Sequence, residues 1–184
     1  MKFVTVIGLL LAQVDAEVNV QLLVASKEAL VVKTSYAGCC GQSSRCESCN
    51  VKVSTKLQVG NYHYRGNAIM SYHVDKLRNS STCRLVIPKQ SATVVGSSVI
   101  NIQRSLSSDF NVSSISWKSS PELGKVFSSI DLEKQGTVDL TELCQDAAKA
   151  QSPVTFFFTP GFAPSTIELP SSKSNTPITL QVTY

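Results

Sequence analysis

A chain of 184 residues suits one compact domain. Its 17 basic and 13 acidic residues leave a net charge of +4 with the two signs interspersed, and no basic stripe stands out, which argues against a nucleic-acid partner. A slight excess of Ser, Thr and Val favours strands and turns over helices.

The chain opens with MKFVTVIGLLLAQVDA: Lys2, an apolar run from Phe3 to Ala12, then small or β-branched residues at Val14-Asp15-Ala16, where a signal peptidase cuts. The run is too short to span a bilayer. Residues 1–16 are therefore expected to be a secretory signal peptide, and residues 17–184 a single extracellular domain with no membrane span. VNVQLLVASKEALVVKTS then alternates apolar and polar residues well enough for two strands. A Gly-, Ser- and Cys-rich loop follows, YAGCCGQSSRCESCN, with its cysteines at residues 39–49. NVKVSTKLQVG reads as a strand ended by Gly60. NAIMSYHVDKL and TCRLVIP are two more strands, joined by the polar turn RNSS. SSVINIQRSL and SISW look extended, GTVDLTEL begins as a strand, and SPVTFFFT and PITLQVTY close the chain. Two stretches have helical character, ELGKVFSSI and TELCQDAAKA. Many short strands punctuated by Pro and Gly predict an all-β architecture, an antiparallel sandwich or barrel.

The six cysteines are Cys39, Cys40, Cys46, Cys49, Cys83 and Cys144. An even number in an exported chain predicts disulfides. Cys39, Cys40, Cys46 and Cys49 also have the pairwise spacing of a zinc knuckle, but export favours bridges over metal. Asn79-Ser80-Ser81 and Asn111-Val112-Ser113 are glycosylation sequons.

The segment from Asp131 to Glu142 spells an EF-hand loop. Asp131, Glu133, Gln135, Asp139 and Glu142 fall at positions one, three, five, nine and twelve, with Gly136 at the turn and ELGKVFSSI as an entering helix. No second loop pairs with it, and the periodicity around it is that of strands. A turn leading into a strand is the preferred reading, and calcium a minor alternative. No nucleophile elbow, zinc-protease motif or phosphate loop occurs, so no enzyme is expected.

The order of short motifs resembles the DNRLRE domain, a secreted β-sandwich related to carbohydrate-binding module family 96. Leu57-Gln58-Val59-Gly60, Ala68-Ile69-Met70-Ser71-Tyr72-His73-Val74, Thr82-Cys83-Arg84-Leu85-Val86 and Ile102-Gln103-Arg104 match its early strands in order. Ser116-Trp117 with Pro121, Asp139-Leu140-Thr141-Glu142-Leu143-Cys144 and the terminal Gln181-Val182-Thr183-Tyr184 match its later steps. The resemblance implies a jelly-roll of two antiparallel sheets and puts Asp139 at a strand end, capping the helix that follows. It also makes a Cys83–Cys144 bridge attractive, since both replace aliphatic residues of the pattern. The chain departs from the pattern at Ser71 and His73, where the family has Arg and Asp, and at Phe110, where it has Trp.

The expected function is that of a secreted, non-catalytic carbohydrate-binding protein whose partner is a polysaccharide or cell-wall glycan. A structural or adhesive surface protein without a sugar site is the alternative. Sugars are held by aromatic faces and planar polar side chains. The candidate ligand residues are Tyr62, His63, Tyr64 and Arg65 in one loop. Tyr72, Arg84 and Arg104 are added, with the two arginines expected on neighbouring strands of one sheet. The lone Trp117 is expected to pack rather than to bind.

Overall fold

The computed structural model describes residues 19–33, 53–61, 65–74, 77–78 and 81–184. The signal-peptide segment, Cys39, Cys40, Cys46, Cys49, the Tyr62-His63-Tyr64 run and the sequon residue Asn79 lie outside the described residues.

The described chain is an all-β sandwich of two antiparallel sheets with one α-helix and a single 3₁₀ turn at Lys89–Ser91. The strands are β1 (Val20–Val24), β2 (Lys27–Lys33), β3 (Lys56–Gly60), β4 (Arg65–Tyr72), β5 (Thr82–Val86) and β6 (Thr93–Gly96). They continue as β7 (Val99–Ser105), β8 (Leu123–Asp131), β9 (Thr137–Asp139), β10 (Val154–Pro160), β11 (Ser165–Pro170) and β12 (Thr179–Thr183). Helix α1 spans Thr141–Ala150. The smaller sheet runs β1-β12-β5-β9; the larger runs β6-β11-β3-β4-β10-β7-β8, with β2 added against β4.

The larger sheet forks at β4. One edge of β4 is taken by β2 along its whole length, from Lys27 opposite Ser71 to Lys33 opposite Arg65. The other edge is shared: β10 pairs from Ala68 to Tyr72, and β3 touches β4 at Gly60 opposite Gly66. The branch through β3 needs a glycine, because a Cβ on Gly60 would sit 2.7 Å from the Ser165 carbonyl oxygen.

Side chains alternate between the faces of a strand. Met70, Tyr72, Phe156, Phe158 and Ile102 point inward and meet Leu85, Leu180 and Val182 of the smaller sheet in one continuous core. The opposite face of β2, β4 and β10 is covered as well. Ala29, Val31, Ile69 and Phe157 pack there beneath Phe110 and Ile115, with Trp117 and Leu123 at the margin. The residues between β7 and β8 thus form a flap across the outer face. Burial on both sides explains why ALVV, AIM and VTFFF are nearly continuous apolar runs.

Three sequence-based expectations change. Glu122–Ile130 is not helical; its residues form β8, which pairs with β7 from Val99 opposite Asp131 to Ser105 opposite Leu123. Gly124 and the β-branched and serine residues there are weak helix formers, and the free edge of β7 decides the outcome. SISW turns within the flap instead of extending. The two strands β6 and β11 pair with each other in stretches that the apolar alternation did not mark.

Helix α1 forms as expected and closes one end of the sandwich. Leu140 stands at its N-cap without a side-chain cap; Asp139, one residue earlier, does not cap the helix as expected, but its Oδ1 accepts the Thr141 N–H at 2.8 Å. The Thr141 hydroxyl in turn accepts the Cys83 N–H at 3.1 Å. Leu143, Cys144 and Ala147 form the buried stripe, and a Cys83–Cys144 disulfide ties the helix to β5. Gln151 ends it in the left-handed conformation at φ 50°, with its N–H returning to the Ala147 and Ala148 carbonyls.

Candidate functional site

Two regions at opposite ends of β10 offer side chains to solvent. The first is built by the β3–β4 hairpin and the loop Pro160-Gly161-Phe162-Ala163-Pro164. Phe162 is fully exposed, at 106% of its reference area, whereas Phe156, Phe157 and Phe158 are all but invisible to solvent. The loop that carries it is held on both sides. Asn61 donates from Nδ2 to the Gly161 carbonyl at 3.1 Å, and its Oδ1 accepts the Ser165 N–H at 2.9 Å. Gly161 donates to the Val99 carbonyl at 3.1 Å, and Ser97 to that of Pro164 at 3.2 Å. Gly96 makes this approach possible: its φ is +87°, and a Cβ there would lie 2.4 Å from the Pro164 oxygen. An aromatic ring is therefore presented on a loop with little freedom left to lose. On the same hairpin, exposed Arg65 extends over the Trp117 ring at 5.7 Å.

The second region is a cleft of about 360 Å³ between α1, the start of β10 and the chain leaving β7. Its wall carries an ion pair between Arg104 and Asp146. The hydrogen bond from Arg104 holds the Asp146 carboxyl below the usual carboxylate range. Arg104 reaches this position because it continues the inward-facing series Ile100, Ile102 on β7, at the point where the core ends and the helix begins.

The sequence-based site residues are not brought together as expected. Arg84 lies on β5 of the smaller sheet, opposite Gln181 and Asp139 on its outer face. Arg104 lies on β7 of the larger sheet. The two arginines are on different sheets and do not share a groove. Tyr72 is not a surface residue at all; it is 0% exposed, stacks on Phe156 at 5.9 Å, and directs its hydroxyl to the Ile178 carbonyl at 3.4 Å. A period of two puts it on the inner face with Met70, and the sandwich closes over it. His73 is exposed beyond the end of β4, beside a recess of about 260 Å³ that it lines with Leu77, Ala148 and Gln151. Trp117 is half-buried at the margin of the outer cluster. Phe162 was missed, although a single aromatic residue set in a Pro-Gly-Phe-Ala-Pro turn is the signal that could have found it.

Burial raises the Tyr72 phenol far above its ordinary value, and the Glu28 charge adds to the effect. The folded protein keeps this proton where the unfolded chain releases it. Stability from Tyr72 is therefore intact below about pH 10 and declines as the pH rises further. Tyr72→Phe is expected to raise the midpoint of alkaline unfolding, measured by circular dichroism across a pH series. An unchanged midpoint would exclude Tyr72 as the responsible group.

In the calcium alternative, the entering helix is replaced by β8. The Asp131 carboxylate accepts from Ser98 Oγ at 2.6 Å and from the Glu133 N–H at 3.1 Å, and pairs with Lys134 at 3.0 Å. Among the described residues, no group of three or more His, Cys, Asp or Glu is placed to hold a metal ion, and no helix is long and apolar enough to cross a membrane. No protein-family model matches the chain, and no curated protein does.

Proposed function

We propose that the protein is a secreted, non-catalytic carbohydrate-binding module whose glycan contacts the end of the sandwich made by the β3–β4 hairpin and the Phe162 loop. The resemblance to the DNRLRE domain and its jelly-roll belongs to this proposal. The observation that carries it is Phe162, an apolar ring left fully in water on a loop fixed by Asn61, Gly161 and Pro164. A stable fold gains nothing from such exposure, whereas a sugar ring stacks its C–H face on an aromatic side chain and gives hydroxyls to neighbouring polar groups. Arg65 supplies planar donors on the same hairpin, and Tyr62, His63 and Tyr64 follow Asn61 directly in the chain.

A glycan array probed with the mature protein tests this. Retention on at least one wall polysaccharide is expected. Phe162→Ala should weaken it about tenfold or more, the scale for loss of a central aromatic contact, with unfolding unchanged. No retention on any polymer would reject the reading. It would favour a structural or adhesive surface protein, for which the separation of Arg84 from Arg104 and the burial of Tyr72 already speak.

A further inference from the structure

We propose that the cleft beside α1 is a second binding site, at the opposite end of β10, for a neutral, compact, polyhydroxylated ligand. The cleft lies within the size range of small-ligand sites, at about 360 Å³. Its lining combines apolar Leu106, Leu143 and Val154 with the Arg104–Asp146 pair. Among the described residues, Asp146 is the one partner of Arg104, so further guanidinium N–H groups remain to be donated. The hydroxyls of Ser108 and Ser152 also line the cleft and bond no described residue.

The charge pattern selects the ligand. An anion drawn to Arg104 would meet the Asp146 carboxylate beside it, and a cation drawn to Asp146 would meet the guanidinium and also Lys149, whose Nζ lies 3.8 Å from the same carboxylate outside the cleft lining. In either case the ligand must break the pair or face a like charge. A ligand with adjacent hydroxyls meets neither penalty. One hydroxyl accepts from Arg104, its neighbour donates to Asp146, and the C–H face lies on Leu106 and Val154. A free sugar or cyclitol and the terminal unit of a glycan share this chemistry. The site does not rest on the Phe162 reading, because the seven residues of β10 hold the two ends roughly 20 Å apart.

The test is a titration of the mature protein, followed by amide chemical shifts, with methyl glucoside, glucuronate and glucosamine. Methyl glucoside should shift Arg104–Ser108 and Asp146–Ser152, and the two charged sugars should bind about tenfold more weakly. Asp146→Asn should invert the preference toward glucuronate, a change that mere loosening of the helix would not produce. Ala150→Leu, which fills the cleft from an exposed helix position, should abolish binding with the fold intact. Phe162→Ala should leave binding unchanged, which separates this site from the glycan-binding end. Tighter binding of an oligosaccharide than of methyl glucoside would assign a glycan terminus, and equal binding a free polyol; both support the site. Equal affinity for all three charge types, an unaltered preference in Asp146→Asn, or no shift around the cleft would overturn it.

Discussion

Replacing Cys83 and Cys144 together by alanine is expected to lower the unfolding free energy by ~4 kcal/mol. The bridge closes a loop of 61 residues, and a cross-link of that span removes about that much free energy from the unfolded chain in the loop-entropy account. It also joins two elements that touch little otherwise. Helix α1 meets the rest of the protein through the Leu143, Cys144 and Ala147 stripe, the Thr141 bond to β5 and the Arg104–Asp146 pair. An exposed ion pair contributes about 0–1 kcal/mol, so it cannot take over the role of the disulfide. Chemical denaturation with the other four cysteines untouched measures the loss. A change below about 1 kcal/mol would mean that apolar contacts alone seat the helix.

Phe157→Ala is expected to lower stability by about 3–5 kcal/mol, the range for emptying a large aromatic site in a core. Phe157 is 1% exposed, yet it points away from the main core, into the cluster formed with Ala29, Val31, Ile69, Phe110 and Ile115. Its loss should therefore act on the flap before it acts on the sandwich. Limited proteolysis between Leu106 and Pro121 should become rapid while the two sheets stay folded. Uniform protection of that segment in the variant would show that the flap is held by other means. The sequon residue Asn111 is exposed within the flap, its Oδ1 accepting the Ser113 N–H at 3.0 Å and the Ser113 hydroxyl at 2.7 Å. A glycan there, if the chain is exported by a eukaryote, would project from the surface that covers Phe157.

Strands whose two faces differ were legible in the sequence. β5 and β12 alternate cleanly, with Cys83 and Leu85 inward against Val182 and Leu180, and Arg84 and Gln181 outward. TELCQDAAKA was legible as a helix because Leu143, Cys144 and Ala147 recur at helical spacing. Periodicity alone could not reveal that β2, β4 and β10 are covered twice, since a run such as FFF looks the same beside one layer or two. Nor could it place β8, where pairing with β7 outweighs local preference. The site was harder still. Arg84 and Arg104 are assigned to different sheets by long-range pairing, and Tyr72 faces inward by a single step of the strand register. Phe162 depends on hydrogen bonds from Asn61, 100 residues away in one case, which no local pattern records.

The most direct test of a glycan-binding role is a map of which backbone amides move when a retained polysaccharide fragment is added to the isotope-labelled protein. The largest shifts should fall on Asn61, Arg65 and Gly161–Ala163. Shifts that leave those residues still and gather on the outer face around Arg84 and Gln181 would contradict it.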